Sequence, residues 1–238
     1  MIKKIHHLWF GEKNYSQVHN ICLLSWNQHL LDNGWELVSW DLEKVKKDPC
    51  LSENPYCKEC ISNKAWMLLS NFVRLYSIYK EGGLYLDCDV QVFCDLTHLF
   101  ESYDVGIGFN TKAKKMNPAM IYCKPGNSLI KYFIDNYLTK NLKKSGMQAI
   151  GPSYYYTLLS QYCQEDFSKL EEEVKILDGR KNLFIGQNSK FEVTQEGIKV
   201  TAPWGDFTDV ALDYLAIETI HWGEFSWKQE DTKWLTHE

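Results

Sequence analysis

The 238-residue chain has no apolar run near the ~20 residues that a bilayer-crossing helix needs. It has no Gly-x-Gly-x-x-Gly and no Walker loop, so the two common glycine-rich phosphate cradles are excluded. It has no excess of positive charge. Its 26 Lys and Arg face 31 Asp and Glu, a net charge of -5, which argues against a general nucleic-acid binder. The opening Met1-Ile2-Lys3-Lys4-Ile5-His6-His7 has too short an apolar run for a secretory signal, so the cytoplasm is the expected location. The eight cysteines include one close pair, Cys57-Lys58-Glu59-Cys60. A closed zinc site takes four ligands, usually as two such pairs, so reduced and mostly buried thiols are the expectation.

What is present suits one α/β domain over residues 1–238: 45% hydrophobic residues, a mean hydropathy of -0.37, and enough length for a sizeable core. Ala65, Leu68, Leu69, Phe72, Tyr76 and Tyr79 recur at helical spacing from Lys64 to Lys80. Gly82 and Gly83 end that helix. Leu84, Leu86, Cys88, Val90 and Val92 then alternate with Tyr85, Asp87, Asp89 and Gln91, so one strand is expected with Asp87 and Asp89 on the same side. Paired carboxylates are tolerated beside a cation, and hard oxygen ligands suit Mg²⁺ or Mn²⁺ with substrate phosphates completing the shell. By itself an Asp-x-Asp also suits a solvated strand end.

The wider pattern is more specific. Ser70-Asn71-Phe72-Val73-Arg74 followed by Tyr79-Lys80-Glu81-Gly82-Gly83-Leu84-Tyr85-Leu86-Asp87-Cys88-Asp89 resembles the central signature of the glycosyltransferases of family 32. That signature usually has Asp where Asn71 stands. The opening Ile5-His6-His7-Leu8-Trp9-Phe10-Gly11 and the closing His221-Trp222-Gly223-Glu224-Phe225-Ser226-Trp227 resemble the family's start and end, in the right order. The resemblance implies a GT-A type domain, a central mixed and mostly parallel sheet flanked by helices. It implies transfer of a hexose from a nucleotide-sugar, a UDP-sugar first with GDP-mannose as the open alternative, to a hydroxyl with retention of configuration.

It also implies roles. Asp89 and His221 would bind Mn²⁺ or Mg²⁺, with Asp87 beside them facing ribose and sugar. Trp9 would lie on the base, Asn71 and Asn117 would face the donor, and Ser226 and Trp227 would hold the leaving diphosphate. Taken alone, Trp9 suits a core better than a base, Asn117 equally suits a turn before Pro118, and His221 suits a structural role better than a ligand's. Arg74, three after Asn71 on one helix face, would reach a phosphate or hold Asp87. The acceptor would be a glycan or a lipid-linked saccharide of bacterial capsule, lipopolysaccharide or other surface glycan. Lys140, Lys143 and Lys144 suit a helix C-terminus and also an anionic membrane surface.

The remaining pattern reads as follows. Ser16 caps a helix to Leu31 whose apolar face is Val18, Ile21, Cys22, Leu24 and Ser25-Trp26. Trp35–Trp40 is a second strand, 41–55 a polar connection, and Tyr56–Asn63 a short helix. Strands follow at Asp104–Phe109 and Met116–Cys123, then a helix from Leu129 capped by Asn127 or Ser128. Ser153 caps a helix to Tyr162. Val174–Leu177 and Leu183–Ile185 are short strands, and Glu196-Gly197 is a hairpin turn. Two rivals stand beside the transferase. One is a haloacid-dehalogenase-like phosphohydrolase, against which Gln91 and the mid-chain position of the motif both count. The other is a non-catalytic carbohydrate-binding protein, which would not need Asp87 and Asp89 together.

Overall fold

The computed structural model describes residues 1–10, 14–112, 114–138, 151–170, 174–177, 182–184, 190–194, 197–201 and 217–222. Strands β1 (Lys4–Leu8) and β2 (Glu36–Trp40) pair in parallel, with helix α1 (Gln17–His29) between them in sequence. Ser16 caps α1 through a reciprocal box: its hydroxyl accepts from the His19 N–H, and the His19 ring accepts from the Ser16 N–H. The buried face of α1 is His19, Cys22, Ser25 and Trp26. The face read from sequence is therefore rotated, since Ile21 and Leu24 are 44% and 61% exposed. Stepping back from Trp26 by four and then three selects Cys22 and His19, and puts Ile21 and Leu24 elsewhere on the wheel.

The expected connection after Asp41 is instead two short helices, α2 (Leu42–Lys47) and α3 (Pro49–Ser52). The Asp41 and Asp48 side chains cap them, and Pro49 stands in the first turn, where its missing N–H breaks no bond. Helix α4 (Pro55–Ser62) follows under an Asn54 cap. It buries Cys57 and Cys60. Burial pushes the Cys57 thiol up to about 12 and raises Cys60 as well. Burial therefore favours the protonated thiol at both, and all eight cysteines are free of disulfides.

Helix α5 (Trp66–Glu81) ends as its glycines require, with the Gly82 N–H on the Ile78 carbonyl at 2.8 Å. Gly83 has φ +110°, and a Cβ there would sit 2.6 Å from the Lys4 carbonyl oxygen. Gly83→Ala is expected to destabilise the protein by about 2–4 kcal/mol, combining a left-handed backbone penalty with a clash the strand cannot relieve. Urea unfolding reads this directly.

From Gly83 the chain enters strand β3 (Gly83–Leu86). The main sheet adds β5 (Val105–Asn110), β6 (Lys115–Cys123) and β7 (Val174–Ile176), in the order β2-β1-β3-β6-β5-β7. Pairs β1–β2, β1–β3 and β5–β7 are parallel, and β6 alone runs against its neighbours. One face packs Tyr85, Ile107 and Ile121 against α4, α5, α7 (Ser128–Leu138) and α8 (Pro152–Tyr162). The other packs Ile5, Leu84 and Leu86 against α1 and α6 (Thr97–Phe100). Asn127 caps α7 as expected, whereas α8 is capped at Gly151, not Ser153, with Pro152 in its first turn. Lys140, Lys143 and Lys144 lie outside the described residues.

The stretch expected as one strand from Leu84 onward is broken. β3 stops at Leu86, residues 87–89 turn, and β4 (Val90–Val92) joins a second sheet with β11 (Thr219–His221) and β8 (Asn182–Phe184). The turn closes through the Val90 N–H on the Asp87 carbonyl at 3.0 Å. The alternation still has meaning, because Leu84, Leu86, Val90 and Val92 all enter one core across the break. A hairpin, β9 (Lys190–Thr194) and β10 (Gly197–Thr201), completes the described strands, and Gly197 already lies in its ladder opposite Thr194. Of the expected turn pair, Glu196 lies outside the described residues.

Candidate active site

The parallel strands β1, β2, β3 and β5 end on the edge where antiparallel β6 begins. Trp9, Asp87 and Asn117 therefore come to one side of the sheet from three distant stretches. Such carboxyl edges are where open α/β sheets hold ligands.

The Asp87-Cys88-Asp89 turn is tied on every side. The Asp87 N–H donates to the Ala119 carbonyl at 2.9 Å. The Cys88 thiol reaches the Leu8 carbonyl at 3.4 Å and lies 3.7 Å from His7 Nδ1. The Trp26 indole N–H donates to the Val90 carbonyl at 2.7 Å. The Asp89 carbonyl accepts the Trp222 N–H at 3.0 Å, and the Trp222 indole N–H donates to Gln91 at 3.1 Å. Burial pushes His7 down to about 4, so it adds no charge beside the carboxylates.

Ala119 is available because β6 bulges. Ile107 faces Ile121 while the next residue, Gly108, faces Asn117, leaving Pro118, Ala119 and Met120 to swing toward β3. The Pro118 carbonyl accepts from Arg74 Nη1 at 2.7 Å, and Arg74 Nη2 lies 3.3 Å from Asp87 Oδ1. The guanidinium also covers the Tyr85 ring at 4.7 Å, and the Tyr85 hydroxyl donates to Asp87. Burial opposes the Arg74 charge, but Asp87 together with the surrounding Tyr85, Tyr155 and Tyr137 outweighs it and raises its pKa. Arg74 thus holds Asp87, one of the two roles read from sequence.

The third side chain of the cluster arrives from a distant stretch of the chain. β11 pairs His221 opposite Val90, which lays its ring over the turn. His221 Nε2 is 3.2 Å from Asp89 Oδ1 and 3.9 Å from Asp87 Oδ2. One donor atom from each of Asp87, Asp89 and His221 falls within 4.8 Å of the others, the one such group among the described residues. Burial works against a charge on His221, but Asp89 and then Asp87 outweigh it and raise its pKa. A divalent cation would take the place of that proton. Two carboxylates and an imidazole, all less than a third exposed, fit a metal of the Mg²⁺ and Mn²⁺ kind.

The other expected residues fall as follows. Trp9 follows β1, its ring 4.5 Å from that of Tyr15 and 5.0 Å from that of His19. Asn71 is buried one turn before Arg74, and its carbonyl accepts the Tyr155 hydroxyl at 3.1 Å. The Asn117 side-chain oxygen accepts the Ala119 N–H at 3.0 Å, a bond that helps shape the bulge. Ser226 and Trp227 lie outside the described residues. Sequence reasoning missed Tyr85, whose place two before Asp87 was the available signal, and missed Trp26 and Ala119, which only the fold brings near.

Residues 12–105 match the family described as a glycosyltransferase sugar-binding region containing a DXD motif. The Asp87-Cys88-Asp89 turn is the Asp-x-Asp sequence inside that matched stretch. No curated protein matches the sequence. Among solved structures the fold is similar to PaToxG glycosyltransferase, at 17% identity and a TM-score of 0.52 over 70% of this chain and 71% of that one. Mouse xyloside xylosyltransferase 1 in its apo form aligns at 9% identity and a TM-score of 0.47 over 78% and 88% of the two chains. The galactosyltransferase LgtC, in complex with donor and acceptor sugar analogs, aligns at 12% identity and a TM-score of 0.45 over 97% and 91%.

Proposed function

We propose that residues 1–238 form one catalytic domain that moves a hexose from a nucleotide-sugar, most simply a UDP-sugar, to a hydroxyl of a glycan or lipid-linked saccharide. The observation that carries this is the meeting of Asp87, Asp89 and His221 at the carboxyl edge of the sheet, from stretches more than a hundred residues apart. Mn²⁺ or Mg²⁺ bound there would neutralise charge developing on the leaving diphosphate.

The chain's own groups supply the rest. Asp89 and His221 hold the cation. Asp87, fixed by Arg74 and Tyr85, faces ribose and sugar. Trp9 offers its ring to the base, and Asn71 and Asn117 border the donor. Ser226 and Trp227, a hydroxyl and an indole N–H, would donate to the diphosphate. Transfer retains the anomeric configuration. The acceptor oxygen bonds to the anomeric carbon on the face the diphosphate leaves, and the acceptor proton passes to that diphosphate. Trapping a covalent glycosyl-enzyme would sink this route.

The phosphohydrolase rival asks Asp87 to be a nucleophile. Its Oδ1 is instead engaged by Arg74 and Tyr85, which suits a fixed contact better than an attacking oxygen. No helix among the described residues is long and apolar enough to cross a membrane. Synthesis of bacterial surface glycan at the inner face of the membrane, by a cytoplasmic enzyme in peripheral contact, is compatible with that.

Calorimetric titration of UDP, GDP and their sugars, with and without Mn²⁺, tests the reading. One nucleotide is expected to bind, and only with metal. Binding of no nucleotide in the presence of metal would move weight to a carbohydrate-binding protein. Trp9→Ala is expected to weaken that nucleotide roughly tenfold or more, from the loss of one base-stacking ring, while Mn²⁺ affinity stays unchanged.

A further inference from the structure

β11 is three residues long and must deliver His221 to Asp89. So short a ladder sets register weakly, and a slip of one residue turns every side chain to the opposite face. Beyond the strand's C-terminal end, Trp222 is pinned by Asp89 and Gln91. Its N-terminal end is pinned by Glu218, which is 6% exposed. Glu218 Oε1 lies 3.2 Å from His98 Nε2 on α6, and its Oε2 accepts from Asn182 Nδ2 of β8 at 2.9 Å. Its carbonyl accepts the Phe93 N–H at 3.0 Å. The next residue repeats the link, with the Thr219 hydroxyl donating to Asn182 Oδ1 at 2.9 Å.

His98 is itself anchored. Its Nδ1 faces the Asp95 carbonyl oxygen at 3.0 Å, and the Asp95 carboxylate accepts the Trp35 indole N–H at 2.9 Å. One buried carboxylate therefore joins α6, β8 and β11 at the point where the strand enters the second sheet. A carboxylate is costly to bury, and an apolar residue would pack there without that cost. What the carboxylate adds is direction, since both of its oxygens have fixed partners on different elements.

We propose that Glu218 is a positioning residue that sets the register of β11 and so brings His221 to the metal cluster. This rests on the reading of His221 as a ligand. Residues that orient a metal ligand from behind typically cost 10–100-fold in metal affinity when removed.

The test is Mn²⁺ affinity of the full chain, by calorimetry, for Glu218→Ala, Glu218→Gln, His221→Ala and the double variant Glu218→Ala/His221→Ala. Glu218→Ala is expected to weaken Mn²⁺ about tenfold or more. Glu218→Gln is expected to stay within about threefold of the parent, because its amide can accept from Asn182 and donate toward the His98 ring nitrogen. In the His221→Ala background, Glu218→Ala is expected to cost nothing further. Parent-like affinity in Glu218→Ala overturns the proposal, and so does a loss of equal size in the His221→Ala background. Parent-like affinity in His221→Ala overturns the metal reading itself, whatever the Glu218 variants do. Should Glu218→Ala not fold, His98→Ala carries the test from a 55% exposed side chain. It is expected to weaken Mn²⁺ about threefold or more by removing one of the two anchors, and unchanged affinity there overturns the proposal.

Discussion

Asp89→Ala is expected to lower kcat/KM for sugar transfer by about 10³-fold, with the fold intact. A cation that neutralises a leaving diphosphate is worth several kcal/mol in the transition state, and each 1.36 kcal/mol is tenfold in rate. Asp89 is the carboxylate nearest His221, at 3.2 Å, and its side chain is only 10% exposed. Its backbone, not its side chain, carries the bond to Trp222. Alanine should thus preserve the turn while removing one of the three metal-facing groups. Raising Mn²⁺ should recover little of the loss. Asp89→Asn, which keeps the shape and loses the charge, should fail nearly as badly. Retention of more than about a tenth of the parent kcat/KM would mean that the chemistry does not pass through this cluster.

Arg74→Met is expected to destabilise the protein by about 3 kcal/mol, at the low end of the range for breaking a buried ion pair because Asp87 keeps some access to water. At this chain length that corresponds to a fall in Tm of roughly 6–12 °C. Four contacts go at once: the pair with Asp87 at 3.3 Å, the bonds to the Pro118 carbonyl at 2.7 Å and the Ser70 carbonyl at 3.4 Å, and the cover over the Tyr85 ring at 4.7 Å. The Asp87 carboxylate would then keep the Tyr85 hydroxyl but lose its buried cation. Lysine should rescue only in part, since one ammonium does not reproduce a planar fork that serves two oxygens. Adding Asp87→Asn to Arg74→Met should recover part of the stability by removing the stranded charge. It should recover none of the transferase activity. Thermal melts of the single and double variants, read beside turnover, separate the two effects. A double variant no more stable than Arg74→Met would show that the pair is not what holds this region.

Much of this site was legible in the sequence, for identifiable reasons. The helix before the motif, its glycine stop and the alternation after it are local patterns, and local patterns survive folding. The alternation correctly assigned Leu84, Leu86, Val90 and Val92 to one core. It could not show that the backbone turns at Asp87, because the cause is elsewhere. β6 ends its pairing with β3 at Met120, and β11 claims Val90–Val92 for a second sheet. The rotated face of α1 has a similar origin. Cys22 and Trp26 lie on the expected face and are buried, but packing against β4 brings His19 to that face in place of the more apolar Ile21 and Leu24. Asn117 shows the limit of reading roles from position. It stands on the expected edge, yet its side-chain oxygen supports the bulge that presents Ala119 to Asp87. Glu218 gave no signal at all, since one carboxylate in a poorly patterned stretch has meaning only once His98 and Asn182 surround it.

Anomalous diffraction at the manganese edge, from crystals soaked with Mn²⁺ and UDP, bears most directly on the proposed activity. A single strong peak bounded by Asp87, Asp89 and His221, with diphosphate oxygens completing its shell and the base against Trp9, is the expected result. Nucleotide bound with no peak at that cluster, or a peak held by other residues, would contradict it.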